Sequence, residues 1–439
     1  MTWVIVGAVV AVIAFFVIFG LLNSQVMEEV RTTTDRKLTM NVPYAVDRPI
    51  VRRWVDLQLD PQQAQDFWDR AGLAWKSASG DTTSTEVPTI TEVGSGQRGP
   101  YVDCIIVRGQ SLADWEKALP RIAPMIGSKQ LTVTEPAPGR MRLVTVLRDP
   151  LGTLNVAALS STPQLIDSRT SIPIGRRVSG ESFALNLRTD VVHLLMQGVS
   201  RFGKSSLMYL MLSWMARMRD VQVWGFDHTS MVLGPLEGLP GKRATTDDVV
   251  DHMRLMDDLL DLLKQRISQL VAMELDSFED IADPTTMPIV VVVCEEFPGL
   301  VQKFVDHDRI TGVKAADRLA PRLEAGIGRL TAEGGKVGIK VVLLSQRFLI
   351  GTGLTSTTRS NCNVRMTFLT DAAGVELVLP DADPATIERV TKFGKGRAMI
   401  TMDRVPSFEL QADYLGGYSK YIEQVKLAKA LRGVEVSDV

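Results

Sequence analysis

The sequence contains few cysteines and histidines, and those present are scattered. Only three of its 439 residues are cysteine and four are histidine. The cysteines form no C-x-x-C pair and no Cys/His spacing of the kind that binds a metal. This argues against a disulfide framework and against a zinc site, and it fits a reducing compartment. We expect each histidine to be structural.

A strong net charge is also absent. With 49 basic and 51 acidic residues, the formal net charge is −2. The chain therefore has no protein-wide field that would attract nucleic acid, and any such surface must be a local patch. Its length predicts two or three domains, and its hydrophobic content of 45% is ample for packed cores.

Residues 3–22 contain no charged residue. A helix of about 20 apolar residues spans about 30 Å, the thickness of a bilayer's hydrocarbon core. No basic segment precedes this run and no signal-peptide cleavage site follows it, whereas Arg31, Arg36 and Lys37 lie on its C-terminal flank. We expect residues 1–27 to form a single-pass anchor in the cytoplasmic membrane, with the remaining chain in the cytoplasm. A buried core helix is the alternative.

The segments between this anchor and residue 150 carry no catalytic pattern. We interpret residues 28–99 as a connector and flexible linker. It contains one helix at 60–73 and a Ser/Thr/Gly-rich stretch at 77–99. Residues 100–150 predict a small α+β module with a β-α-β-β order, which we interpret as an assembly or interface module.

Residues 151–415 alternate strand-like and helix-like runs. The apolar runs at 221–226, 288–293 and 339–344 are typical of buried parallel strands, and the stripe along 247–273 is typical of an amphipathic helix. This pattern predicts an α/β fold with a doubly wound parallel sheet flanked by helices. Residues 416–439 leave room for one C-terminal helix or tail.

The sequence G-V-S-R-F-G-K-S at 198–205 follows an apolar run and precedes a helix-like run. It matches the G-x-x-x-x-G-K-[ST] pattern of a phosphate-binding loop, whose backbone N–H groups surround phosphates at a helix N-terminus. Lys204 would reach the β- and γ-phosphates of ATP, and the Ser205 hydroxyl would ligate Mg²⁺. The residues expected to bind the nucleotide are Gly198, Val199, Ser200, Arg201, Phe202, Gly203, Lys204, Ser205 and Ser206.

Further polar residues follow two other predicted strands. Ligands in open α/β sheets bind at the carboxyl ends of the strands, so Glu295, Glu296 and Gln346 are expected to meet the phosphate loop. Glu295 would hold the Mg²⁺ hydration shell and Glu296 would polarise the attacking water. Gln346 would sense the γ-phosphate or orient that water. The alternative is a solvated loop for the acids and a plain strand end for Gln346.

In this order, the segments IPIG, HLLxxGxxxxGKS, VVVVCEEF, GIKVVLLSQR and SNCNVRMTF resemble the FtsK/SpoIIIE family of membrane-anchored DNA-pumping motors. Within that family the sequence is most similar to the Tra-type transfer proteins of actinobacterial conjugative plasmids and integrative elements, or their phage relatives. The match covers roughly residues 150–410. Glu295 departs from the aspartate usual in the family, and V-S-R-F is bulkier than the family's usual loop.

The resemblance implies a RecA-like P-loop motor that assembles as a homo-hexamer and moves double-stranded DNA with ATP. It assigns Lys204 and Ser205 to the nucleotide loop, Glu296 to the catalytic glutamate and Gln346 to the sensor. Arg365 matches an arginine that the family keeps, and either Arg365 or Arg347 would serve as an arginine finger. A surface salt bridge remains the alternative for each arginine.

Residues 301–347 hold nine basic residues against five acidic ones. This local excess would face a DNA backbone, or else form a solvated helix face. The leading hypothesis is a membrane-anchored DNA translocase for conjugative transfer. A protein-secreting ATPase of the type VII kind and a nucleotide-gated membrane scaffold without sustained turnover remain as alternatives.

Overall fold

A computed structural model of the chain describes residues 26–31, 37–42, 48–79, 82–96, 99–128, 131–146, 151–152, 154–157, 159, 164–178, 180–348, 353–403 and 405–433. The chain divides into two compact units, Met1–Asp149 and Pro150–Val439. The anchor expected at residues 1–27 lies outside the described residues except for its last two positions, and it stays a prediction. Within the described ranges, no helix is both long and apolar enough to cross a bilayer.

The first unit contains a six-stranded sheet in the order β1-β2-β5-β6-β8-β7, and a separate hairpin of β3 and β4. Its strands are β1 Val26–Arg31, β2 Lys37–Val42, β3 Trp75–Ser79, β4 Thr82–Glu86, β5 Thr89–Gly96, β6 Gly99–Ile105, β7 Leu131–Ala137 and β8 Arg140–Thr145. Its helices are α1 Arg48–Leu59, α2 Pro61–Ala71 and α3 Leu112–Ile126.

Helix α2 begins where the Asp60 carboxylate accepts the backbone N–H groups of Gln62 and Gln63, and it ends at Gly72 with φ 77°. The core packs Trp68 between Trp54 and Trp115, with ring centroids 6.3 and 5.6 Å apart. These three side chains are almost fully buried.

The β-α-β-β order predicted for residues 100–150 is present, but the linker interpretation of 77–99 is wrong. That stretch contains β4 and β5, and β5 pairs with both β2 and β6. Ile90 and Val93 of β5 are buried in the core. Threonine, which suggested a loop here, is also a favourable residue in a strand.

The second unit is built on a ten-stranded sheet in the order β10-β9-β18-β17-β16-β11-β15-β14-β12-β13. Its strands are β9 Ile172–Arg177, β10 Ser182–Leu185, β11 Leu194–Gln197, β12 Val221–Phe226, β13 Arg243–Ala244, β14 Ile289–Cys294, β15 Ile339–Ser345, β16 Val364–Thr367, β17 Arg397–Met402 and β18 Val405–Ala412. Its helices are α4 Lys204–Met215, α5 Val249–Ala272, α6 Phe297–Thr311, α7 Leu319–Glu333, α8 Ser356–Asn361, α9 Ala372–Val378, α10 Pro384–Val390 and α11 Tyr418–Leu431.

This sheet is mixed, which corrects the prediction of a parallel sheet. The half from β16 to β13 is parallel, whereas β17, β18, β9 and β10 pair antiparallel. The short connection between β17 and β18 can join only antiparallel strands, because a parallel pair needs a long crossover. The sequence analysis did not predict β18.

The topology brings several chain segments to one edge of this sheet. Strands β11, β15 and β14 are neighbours and parallel, so the residues that follow them meet at their carboxyl ends. Strand β18 is antiparallel to β17, which is antiparallel to β16. It therefore points the same way as the parallel strands and also ends at this edge, which we call the carboxyl edge.

Candidate functional site

The phosphate-binding pattern forms the connection between β11 and α4, as predicted. Gly203 has φ 123°, a value that side chains rarely allow, and a Cβ added to Gly198 would lie 2.5 Å from the Phe368 Cβ. Both positions therefore need glycine. Arg201 also lies in the left-handed region, with φ 70°, and its side chain is exposed. The bulky Arg201 thus points away from the core.

Lys204 is 7% exposed and forms the first turn of α4. Its Nζ lies 3.3 Å from the Glu296 Oε2. Glu296 follows β14, two strands away from the phosphate loop. The pair that the sequence predicted at the carboxyl edge therefore meets directly.

Two further donors hold the Glu296 carboxylate. The Ser345 hydroxyl donates to Oε1 at 3.2 Å, and the Gln346 backbone N–H donates to Oε2 at 3.0 Å. Glu296 itself has φ 48°, a conformation that costs a non-glycine residue of order 1 kcal/mol. Its position is therefore fixed by neighbours rather than by local preference.

The Gln346 side chain reaches the phosphate loop, because its Oε1 accepts a hydrogen bond from the Ser200 hydroxyl at 2.9 Å. Gln346, Lys204, Glu295 and Glu296 line a common cavity of about 750 Å³. Ser206 also lines this cavity, and its buried hydroxyl has no hydrogen-bond partner among the described residues. Such an atom needs a partner, and a phosphate oxygen would supply one.

The residues predicted to hold Mg²⁺ lie in the same cavity. Ser205 is exposed to it and Glu295 is half-buried. Burial raises the pKa of Glu295, the negative charge of Asp227 raises it further, and the Lys204 ammonium opposes both effects. The described residues contain no cluster of three or more His, Cys, Asp or Glu that would enclose a metal ion. One hydroxyl and one carboxylate nevertheless fit Mg²⁺, which binds few protein oxygens and completes its shell with phosphates and water.

Neither predicted arginine finger lines this cavity within the chain. The Arg347 guanidinium pairs with Asp371 at 2.6 Å, and both side chains are about half exposed. The Arg365 Nε donates to the Cys362 carbonyl at 3.0 Å, near the start of β16 and away from the carboxyl edge. The arginine-finger role stays a prediction for both.

The structure adds cavity residues that the sequence analysis missed. His228 and Thr229 follow β12, and the fully buried Asp227 shapes their loop by accepting four hydrogen bonds. The rule that ligands bind at strand ends would have found them. Burial lowers the pKa of His228, and the nearby Lys303 ammonium lowers it further. Its imidazole is therefore more easily neutral than usual.

The excess of basic residues at 301–347 is mostly neutralised. Six of the nine form ion pairs, namely Lys303, Arg309, Arg322, Arg329, Lys336 and Arg347. Lys340 is buried under Phe278. Lys314 and Arg318 are exposed and form no ion pair with the described residues. They lie in the loop between α6 and α7.

No protein-family model matches the chain, and no curated protein does. Among solved structures it is similar to the pCW3 conjugation coupling protein TcpA in its monomer form with ATPγS. Here the TM-score is 0.52 and the identity 17%, covering 79% of this chain and 94% of that one. It is also similar to EssC (ATPases 2 and 3) from Geobacillus thermodenitrificans, with a TM-score of 0.50 and 15% identity over 64% of this chain and 53% of that one.

These likenesses show the fold. The chain shares its α/β fold with the conjugation coupling protein TcpA and with the EssC ATPases. The resemblance to FtsK/SpoIIIE-type transfer motors is thereby confirmed at the level of the fold.

Proposed function

We propose that this chain is a membrane-anchored translocase that hydrolyses ATP to move double-stranded DNA during conjugative transfer. The observation that carries the ATPase part is the meeting of Lys204, Glu296 and Gln346 around the phosphate loop. Lys204 supplies a cation for the phosphates and Glu296 a carboxylate for the attacking water. The Gln346 amide contacts the phosphate loop and would sense the γ-phosphate.

The Lys204–Glu296 ion pair suggests how binding would prepare the site. A γ-phosphate attracts Lys204 more strongly than a single carboxylate does, because it carries more charge. Once released by Lys204, Glu296 would accept the proton of a water that attacks the γ-phosphorus. The bond between the γ-phosphorus and the oxygen that bridges it to the β-phosphate then breaks, and ADP and phosphate leave. Mg²⁺, when bound by Ser205 and Glu295, would neutralise charge on the β- and γ-phosphates.

The assignment of DNA as cargo has two supports. The chain has the fold of a protein described as a conjugation coupling protein, and the match covers nearly all of that protein. The loop between α6 and α7 also presents Lys314 and Arg318 with no acidic partner among the described residues. Unpaired cations on an exposed loop are what a phosphate backbone requires.

Two features complete the proposal from the sequence. Residues 1–27 would anchor the protein in the cytoplasmic membrane, with the motor unit in the cytoplasm. Six copies would form a ring around the DNA, and Arg347 or Arg365 of one copy would reach the nucleotide of its neighbour.

The second candidate is a protein-secreting ATPase, which the likeness to EssC favours. That likeness covers less of this chain than the likeness to the coupling protein does, 64% against 79%. For this reason we place DNA first.

DNA-stimulated hydrolysis separates the two candidates. Linear double-stranded DNA should raise the ATP hydrolysis rate of the full-length protein. Lys314→Ala with Arg318→Ala should weaken DNA binding and lower the slope of log affinity against log salt by about 2, roughly one per lost phosphate contact.

Arg254→Ala with Lys264→Ala is the matched control, because it also removes one arginine and one lysine, here from ion pairs on α5. It should leave the DNA affinity and its salt dependence unchanged. If DNA does not change the ATP hydrolysis rate of the wild type, DNA is not the cargo and the secretion ATPase is favoured.

A further inference from the structure

The nucleotide cavity continues beyond the phosphate-binding residues onto a second wall. Its lining there comes from Leu154, Lys395, Ala412, Asp413 and Tyr414. None of these belongs to the phosphate loop or follows β14 or β15. We call this set the second wall.

Hydrogen bonds hold the second wall together from distant parts of the chain. The Tyr414 N–H donates to the Asn155 carbonyl at 2.8 Å, and the Ala157 N–H donates to the Tyr414 carbonyl at 2.9 Å. The Asn155 Nδ2 donates to the Asp413 carboxylate at 2.6 Å, and the Arg176 guanidinium donates to the Asn155 Oδ1. Leu154 thus lies on a fixed segment although it is 61% exposed.

The second wall is also tied to the phosphate loop. The Gly396 N–H donates to the Phe202 carbonyl of the loop at 2.8 Å, and the Ala412 N–H donates to the Gly396 carbonyl at 2.7 Å. A ligand whose phosphates lie at Lys204 therefore has this wall at a defined position beside it.

The chemistry of the second wall differs from that of the phosphate loop. Leu154 and Tyr414 offer an aliphatic and an aromatic surface, which suit the faces of a planar base. Asp413 is 7% exposed and offers a carboxylate, which accepts hydrogen bonds and repels phosphate. Leu154 is exposed and is not part of the hydrophobic core of the described residues, so its side chain is available to contact a ligand.

We propose that the second wall binds the nucleoside half of the triphosphate. The base lies against Leu154 and Tyr414, and Asp413 accepts a hydrogen bond from a donor of the nucleoside. This inference rests on the proposed function, because it requires a triphosphate at the loop. It adds that residues 154–155, which precede the first strand of the ten-stranded sheet, select what binds there.

The test compares two ligands on the full-length protein by calorimetry, namely ATP and inorganic triphosphate, each with Mg²⁺. Leu154→Ser and Tyr414→Ala should each weaken ATP binding about tenfold while leaving triphosphate binding within about twofold. Val156→Ser is the matched control, because Val156 is on the same segment, is 63% exposed and does not line the cavity. It should bind both ligands as the wild type does.

Lys204→Ala should weaken the binding of both ligands. If it weakens neither, the proposed function fails. If it weakens both but Leu154→Ser leaves ATP binding unchanged, or weakens ATP and triphosphate equally, the nucleoside assignment is overturned while the proposed function stands. Leu154→Ser decides the matter even if Tyr414→Ala does not fold, because an exposed leucine contributes little to stability.

Two ATP analogues identify the donor for Asp413. One is 2′,3′-dideoxy-ATP, which lacks the ribose hydroxyls, and the other is purine riboside triphosphate, which lacks the amino group. The analogue that lacks the donor should bind more weakly to the wild type, and Asp413→Asn should reduce that difference. Binding of both analogues as tight as that of ATP would overturn the role of Asp413.

Discussion

At the carboxyl edge of the ten-stranded sheet, polar groups are held in strained positions and face a cavity. The opposite edge, where β11, β14 and β15 begin, also contains charged residues, but there they are buried against backbone carbonyls. We call it the amino edge.

Several residues at the carboxyl edge have backbone conformations that are unfavourable for residues other than glycine. The non-glycine residues with positive φ in the described chain are Arg201, Ser230, Glu274 and Glu296, and three of these four lie at this edge. The buried Ser206 hydroxyl at this edge has no hydrogen-bond partner in the described part of the chain. Such features persist where function requires them, because they cost stability.

The amino edge shows the opposite arrangement. Arg266 of α5 donates to the carbonyls of Val337 and Pro288, just before β15 and β14. Arg188 likewise donates to the carbonyls of Phe278, Glu279 and Ile281. These cations therefore donate charged hydrogen bonds to backbone carbonyls in the interior. The carboxyl edge therefore turns polar groups towards a cavity, whereas the amino edge pairs buried cations with the backbone.

The largest expected effect is a loss of ATP hydrolysis when Glu296 at the carboxyl edge is changed. Glu296→Gln should lower the ATP hydrolysis rate by roughly 10²- to 10⁴-fold, since an amide cannot accept the proton of the attacking water. The free energy of unfolding should fall by only about 1–3 kcal/mol, because glutamine keeps the shape but loses one acceptor oxygen and the charge that pairs with Lys204. Glu333→Gln, on an exposed ion pair of α7, is the control and should leave hydrolysis unchanged. Equal rates for Glu296→Gln and the wild type would remove Glu296 from the mechanism.

The next effect is at the amino edge. Arg266→Met should lower the free energy of unfolding by about 3 kcal/mol, because two buried carbonyls lose charged hydrogen bonds. Arg254→Met, on the exposed side of the same helix, should cost less than about 1 kcal/mol. Denaturant unfolding measures both. Similar values for the two variants would show that burying Arg266 contributes nothing.

A smaller effect concerns pH. Burial, together with the nearby Lys340 ammonium, lowers the pKa of His193 to about 3. At pH values between about 3 and the ordinary histidine pKa, the imidazole is protonated in the unfolded chain but neutral in the native one. The free energy of unfolding therefore falls as the pH falls through this range. From pH 7 to pH 5 we expect His193 to account for a loss of about 2 kcal/mol in the free energy of unfolding.

His193→Gln tests this, because glutamine does not titrate and can still accept the Val341 N–H that bonds to His193 Nδ1. Its unfolding free energy should fall less steeply from pH 7 to pH 5 than that of the wild type. An identical slope in wild type and variant would mean that His193 is not the titrating group.

The sequence predicted the parallel half of the sheet and the residues that follow its strands. Lys204 was predicted from the phosphate-loop pattern, and Glu296 and Gln346 were placed beside it because the rule that ligands bind at carboxyl ends needs only strand positions. Strand β18 was missed because its polar, partly exposed residues lack the apolar run that marks a central strand.

The second wall lay beyond such reasoning. Asn155 and Asp413 bond to each other across 258 residues of sequence. The local sequence pattern of neither segment predicts this hydrogen bond. The carbonyl contacts of Arg188 and Arg266 are equally non-local, so the amino edge could not be predicted.

The most direct test of the account is the steady-state rate of ATP hydrolysis by the full-length protein beside its Lys204→Ala variant. We predict hydrolysis by the wild type, stimulated by double-stranded DNA, and its loss in Lys204→Ala. A wild-type rate no higher than that of Lys204→Ala would contradict the motor and favour a nucleotide-gated scaffold.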